Sequence, residues 1–162
     1  MKISVIYDSK TSNTATMAGY IAEGLQQVEG VEARTFHIDD IDEAYAKESG
    51  ALIFGCPTYM GGPTAAFYEF LEKRAGKLGL AGKLGGAFAT AQYAWGGNEM
   101  AMMNIIMHEM FFGMLVYSGG GAAGNPPIHI GPIKIGSADY DWDALAVDYG
   151  KRMAAETIKL FG

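Results

Sequence analysis

The sequence holds one cysteine, Cys56, so no intramolecular disulfide can form. That points away from small, stapled secreted scaffolds and towards a reducing compartment. Charge is sparse at 19%, and Lys and Arg are scattered without a basic stripe, which speaks against a nucleic-acid groove. No stretch approaches the roughly 18 apolar residues of a membrane span. The start, Met1 to Tyr7, has no charged n-region ahead of an apolar h-region and reads as a strand, not a signal peptide. With these absences, the cytoplasm is the expected location. Internal repeats, low-complexity tracts and a Ser/Pro-rich linker are also missing, so one domain over residues 1–162 is expected.

What is present is an ordinary globular mixture, 49% hydrophobic with a net charge of −6, enriched in glycine at 23 residues. Apolar runs alternate with helical periodicity. Strand-like runs cover Lys2–Tyr7, Val31–Phe36, Ala51–Gly55, Gly85–Thr90 and Met114–Tyr117. Between them, helices are predicted from Ser12 to about Val28, from Asp39 or Asp40 to about Lys47, over Thr64–Arg74 behind Pro63, and over Asn98–Phe111. Trp142–Leu160 closes the chain as a helix. Strand and helix alternating five times predict a parallel sheet covered on both faces. Four of the strands lack polar alternation, as strands buried on both sides should. Right-handed crossovers leave the Rossmann and flavodoxin strand orders, both of which place a ligand at the carboxyl ends of the strands.

Three loops leave those ends. The first, Asp8–Thr14, packs four hydroxyls (Ser9, Thr11, Ser12, Thr14) and the Asn13 amide ahead of a helix. Free amides and the positive helix end, joined by short polar side chains, suit a phosphate monoester. Neither GxGxxG nor GxxxxGK[ST] is present, which weakens the dinucleotide and P-loop readings. Ser12 alone is also a plain helix cap. The second loop, Cys56–Pro63, carries Pro57, Thr58, Tyr59, Met60 and Gly61, where Tyr and Met can cover a flat ring. The third, Ala91–Gly97, follows Thr90 and offers Ala91, Gln92, Tyr93, Trp95, Gly96 and Gly97. A phosphate nest beside two aromatic loops describes a ligand with a phosphate at one end and a planar heterocycle at the other, a shape that flavin mononucleotide (FMN) has.

The stretches SKTSNT, GCPTYMGG and Gly82–Glu99 (GKLGGAFATAQYAWGGNE) resemble the flavodoxin-like superfamily. The nearer likeness is to its NAD(P)H:quinone oxidoreductase branch, the tryptophan-repressor-binding-protein (WrbA-type) family. Thr16-Met17-Ala18, Pro57-Thr58-Tyr59-Met60-Gly61, Gly96-Gly97-Asn98-Glu99 and Gly113-Met114 follow that family's motifs in order. The resemblance implies a three-layer fold with a five-stranded parallel sheet in the order 2-1-3-4-5 and one non-covalent FMN. It implies Ser9, Thr11, Ser12, Asn13 and Thr14 at the phosphate and Thr58, Tyr59, Met60 and Gly61 along the isoalloxazine edge. Thr90, Ala91, Gln92, Gly96 and Gly97 would then meet the ribityl chain and the ring's other edge. Three departures stand out: Tyr59 replaces the family's arginine, Phe112 replaces a histidine, and the segment before the fourth strand is short.

The function expected is FMN-dependent oxidoreduction, with NAD(P)H as co-substrate and a quinone-like acceptor. A one-electron carrier between redox proteins is the alternative. Tyr59, Trp95 and Phe112 are expected to form the apolar substrate slot. No side chain is assigned as a general acid or base, and no metal site is expected. His108 and the methionines around it read as core or subunit packing, with a homodimer or higher oligomer expected. Cys56 reads as a buried structural thiol. His37 and His129 show no partner in the sequence, and the stretch Gly119–Pro127 reads as a flexible or lid-like loop.

Overall fold

A computed structural model describes all residues, 1–162. Chain order is β1 (Lys2–Tyr7), α1 (Asn13–Gln26), β2 (Glu32–His37), α2 (Glu43–Glu48), β3 (Ala51–Pro57) and α3 (Ala65–Lys73). A 3₁₀ turn (Ala75–Leu78), β4 (Leu84–Ala91), α4 (Asn98–Phe111), β5 (Leu115–Val116), β6 (Ile133–Ile135) and α5 (Trp142–Phe161) follow. The sheet runs β2-β1-β3-β4-β5 with every pairing parallel, the order that the sequence resemblance implies. The fifth position is shared. β5 pairs with the start of β4 at Leu84 and Gly85, and β6 pairs with its end from Ala89 to Ala91. The predicted strand Met114–Tyr117 therefore shrinks to two residues, and its continuation lies beyond a sixteen-residue excursion, 117–132.

The strand alternation sorts the core into two layers. Ile3, Val5, Ile53 and Phe88 pack with Met17, Ile21 and Leu25 of α1 and Tyr149 and Met153 of α5. Ile6, Leu52, Phe54 and Ala87 pack with Phe67 and Phe70 of α3 and Met102 and Ile105 of α4. α1 and α5 approach unusually closely. A Cβ at Gly24 would run into the Val147 carbonyl, and one at Gly150 into the Ile21 carbonyl.

Helix starts follow two designs. Asp42 Oδ1 accepts from the Tyr45 amide at 3.0 Å, Thr64 Oγ1 from Phe67 at 3.2 Å, and Asp141 Oδ1 from Ala144 at 3.0 Å. Helix α2 thus starts at Asp42, not at Asp39 or Asp40. Asp39 instead lies beside His37 and Arg74, and the Asp40 amide donates to the His37 carbonyl. α1 and α4 have no side-chain cap and begin at residues of left-handed conformation, Ser12 (φ 65°) and Gly97 (φ 81°).

The excursion 117–132 is fastened to the fold. Arg152 of α5 donates to the carbonyls of Gly119 (3.3 Å), Gly120 (3.1 Å) and Pro126 (3.0 Å), and pairs with Asp148 at 2.6 Å. The segment expected as a flexible or lid-like loop thus lies against the flank of α5. No helix is long and apolar enough to cross a membrane.

Candidate functional site

The two uncapped helices both begin at the carboxyl end of the sheet, where β1 and β3 lie side by side and their crossovers leave in opposite directions. Three loops close around that point because their strands end together. Thr58 donates its amide to the Thr90 carbonyl at 2.7 Å, which links the second loop to β4. The hydroxyls of Thr14 and Thr90 bond at 2.8 Å, which links the first. Gly97 and Gly61 touch backbone to backbone: a Cβ on Gly97 would sit 2.7 Å from Gly61 Cα, so the third loop can close on the second only as glycine.

The cleft between these loops encloses about 310 Å³, within the size range of small-molecule sites. Thr11 and Asn13 line it from the first loop, Pro57, Thr58 and Tyr59 from the second, and Thr90, Ala91 and Gln92 from the third. All eight were expected there from the sequence. Lys134 and Gly136 complete the wall and were missed. They arrive on β6, where the Gly136 amide donates to the Ala91 carbonyl at 2.8 Å. The alternating Ile133-Lys134-Ile135 behind Pro132 was the signal that could have found them.

The other expected residues surround the cleft without lining it. Ser9 lies behind the first loop, its Oγ accepting from the Ala15 amide at 3.3 Å. Thr14 is buried against Thr90. Ser12 holds the left-handed turn that starts α1, and its side chain caps nothing, so the capping reading fails. That leaves only Ser9 as a side-chain acceptor in the first turn of α1, and its remaining amides point at the cleft end of the helix. Met60 (φ 51°) and Gly61 (φ 79°) form the tip of a two-residue turn closed by reciprocal bonds between Tyr59 and Gly62, 2.8 and 3.1 Å. Those bonds use the amides of Tyr59 and Gly62 and leave the Met60 and Gly61 amides outside the pairing.

The aromatic slot is not formed as expected. Trp95 is 83% exposed and stacks on Tyr93, ring centroids 5.4 Å apart and planes 14° from parallel. Tyr59 lies under the Lys10 ammonium at 5.2 Å. Phe112 is at the far end of α4, edge-on to Phe111 at 5.4 Å and beside Gly76 of the 3₁₀ turn. A fourteen-residue helix separates it from Gly97, roughly 20 Å at 1.5 Å per residue. Within one chain Phe112 is therefore not in the slot. Its place just ahead of Gly113-Met114 carried the expectation, but that motif lies at the amino end of β5, opposite the cleft.

Beneath the first loop lies a polar cluster that the sequence did not reveal. Asp8 is buried; its carboxylate accepts from the Thr64 hydroxyl and lies 3.4 Å from His37 Nε2. Asp39 lies 3.5 Å from His37 Nδ1, so His37 does have partners. Thr64 thereby joins the start of α3 to the end of β1 while capping its own helix. Burial, aided by the Asp8 charge, pushes the Cys56 thiol well up, as suits a structural thiol.

Does the cleft fit the flavin phosphate and ring? Its donors are hydroxyls, an amide side chain, an uncapped helix start and one ammonium, Lys134, which also lies 3.5 Å from Asp143. This donor set suits a phosphate and a hydroxylated chain. Thr58 Oγ1, in the cleft wall, is buried without a hydrogen-bond partner. A buried hydroxyl left unpaired is costly, and a ligand hydroxyl or ring heteroatom would satisfy it. The residues present fit the group.

Fold and cleft together define a doubly wound α/β fold with an open cleft at its switch point. The sequence pattern of the family described as Flavodoxin matches residues 5–127, and the chain belongs to that family. It is 37% identical to a flavodoxin of Clostridium saccharobutylicum over 99% of this chain and 100% of that protein. It is 26% identical to an NAD(P)H dehydrogenase (quinone) of Solidesulfovibrio magneticus over 96% of this chain and 89% of that one. Among solved structures, the flavodoxin, WrbA-like protein from Agrobacterium tumefaciens superposes with a TM-score of 0.81 at 25% identity, covering 98% of both chains.

Proposed function

We propose that the chain binds one FMN in the switch-point cleft and transfers electrons through it. The observation that carries this reading is the cleft's donor set around the unpartnered Thr58 hydroxyl. Thr11, Asn13 and the first turn of α1 hold the phosphate in this reading, with Ser9, Ser12 and Thr14 shaping the loop from behind. Pro57, Thr58, Tyr59, Met60 and Gly61 take one edge of the ring, and the amides at the Met60-Gly61 tip are free to donate to it. Thr90, Ala91, Gln92 and Lys134 hold the other side, with Tyr93, Trp95, Gly96 and Gly97 forming the outer rim. Bound there, the flavin supplies reversible one- and two-electron chemistry; the protein supplies binding, orientation and exclusion of water.

The reading favoured is an electron carrier between redox proteins. The likeness to flavodoxins runs at higher identity than that to quinone reductases, and Phe112 lies too far away to wall a substrate slot. Docking would be guided by the acidic net charge. The second reading, NAD(P)H-dependent reduction of a quinone-like acceptor, is favoured by one observation: Trp95 stands 83% exposed at the rim, an open platform for a flat substrate. In both readings the protein works as a homodimer or larger assembly.

Anaerobic titration of FMN-loaded protein with NADH, NADPH and dithionite separates the readings. A carrier is reduced by dithionite in two resolved one-electron steps and is inert to both nicotinamides. Direct bleaching by NADH or NADPH makes it a reductase. Failure to take up FMN at all overturns both.

A further inference from the structure

The outward face of α4 is almost without charge. Met100, Met103, Met107, Met110 and Phe111 are between 37% and 82% exposed, and Glu99 is the only exposed charged residue of the helix. α3, on the same side of the sheet, presents Glu69, Glu72 and Lys73 instead. A helix that is apolar on both its inner and outer faces is ordinarily covered on both.

We propose that a second copy of this chain covers it, with the two α4 helices packed antiparallel about a two-fold axis at residue 105. This rests on the oligomer reading above and is independent of the flavin. The methionines fall at 100, 103, 107 and 110. That is the three-four-three spacing of a packing seam, and it reads the same in both directions about residue 105. A two-fold therefore sets Met103 against the partner's Met107, and Met100 against the partner's Met110. Such self-complementarity is what an isologous interface requires. The helix dipoles then oppose, and neither chain's net charge falls within the seam. A hollow of about 370 Å³ beside the stripe, lined by Leu71, Met107, His108, Phe111 and Phe112 with Glu72 at its edge, provides the hole for the opposing methionines. Large side chains carry roughly 200 Å² each. Covering the five therefore removes on the order of 600 Å² per chain, about 1,200 Å² per pair, where specific interfaces begin. The same pairing carries the partner's Phe111 to Met100, one turn from Gly97 at the rim of the cleft.

Sedimentation equilibrium of the full chain with excess FMN, followed both at the flavin absorbance and in the far ultraviolet, tests this. The wild type is expected at twice 17.3 kDa, Met103→Glu at the monomer mass, and Met103→Glu/Met107→Lys at the dimer mass again. In the antiparallel seam each new glutamate faces a new lysine of the partner. A monomeric wild type, a dimeric Met103→Glu protein or a monomeric double variant each overturns the proposal. Circular dichroism confirms that each variant is folded. Flavin absorbance missing from a dimer would overturn the FMN reading and leave this one standing.

Discussion

The two helical layers on this sheet are finished differently. On one side α1 and α5 lie so close that glycines at 24 and 150 meet the opposing backbone, and their outward residues include Glu23, Lys151 and Lys159. On the other side α4 packs Met102 and Ile105 inward, much as α1 packs Met17 and Ile21, yet shows methionine outward as well. Inward periodicity gives both layers the same fold. The outward residues differ: charged side chains finish one layer, and exposed methionines finish the other.

The largest effect should come from spoiling the close layer. Gly150→Val forces a branched side chain into the Ile21 carbonyl. Overpacking of this kind costs about 3 kcal/mol or more, which for a chain of this size lowers the thermal midpoint by roughly 6–12 °C; calorimetry reads it. A loss below about 1 kcal/mol would mean that the two helices can slide apart, and the contrast between the layers would weaken.

At the mouth shared by both layers, Thr11→Ala with Thr58→Ala should weaken FMN binding by about tenfold to a hundredfold, since each lost hydrogen bond is worth roughly 1 kcal/mol. Fluorescence titration measures it. Unchanged affinity would remove both hydroxyls from the site.

Glu109 sharpens the contrast within the sheet itself. It reaches from α4 to Gly85, is buried, and neither carboxyl oxygen has a hydrogen-bond partner. Burial pushes its pKa well above the carboxylate range. The folded state therefore keeps a proton that the unfolded chain releases above about pH 4.3. Stability that this proton linkage lends at low pH is lost as pH rises from there towards the raised folded value. Glu109→Gln should flatten that slope and raise stability at pH 7 by on the order of 1–3 kcal/mol, with little change near pH 4. Urea unfolding at a series of pH values checks this, and parallel curves for the two proteins would rule it out.

The smallest effect belongs to the open face. Met110→Gln, assayed at high dilution, should shift stability by no more than about 0.5 kcal/mol. A larger loss would mean that the stripe is needed by the single chain.

Much of this was legible without coordinates. Helix α4 occupies Asn98–Phe111 as its periodicity predicts; alternation and the handedness of crossovers narrow the sheet to two strand orders, and the family resemblance implies the one that forms. Seven of the eight expected cleft residues lie in the three loops and the eighth, Thr90, just ahead of the third, because each loop follows its strand directly. The errors share a cause. Phe112 was placed by its distance from a motif, and the length of α4 carries it to the other end of the sheet. Lys134 reaches the cleft because a strand interrupted at Val116 resumes at Ile133. The cluster of buried Asp8 and Thr64 with half-buried His37 comes from three elements.

The sequence by itself determined what repeats along the chain: the periodicities that choose helix or strand, the two-sided burial of the strands, and the hydroxyl and aromatic chemistry of each loop. These depend on neighbours within a few residues, whose geometry the backbone fixes. Only the tertiary structure decided which loops share a wall, where the interrupted strand returns, which carboxylates lie out of water, and that α4 carries an uncovered face. Those depend on distances between segments far apart in sequence, which close packing sets and no local pattern encodes.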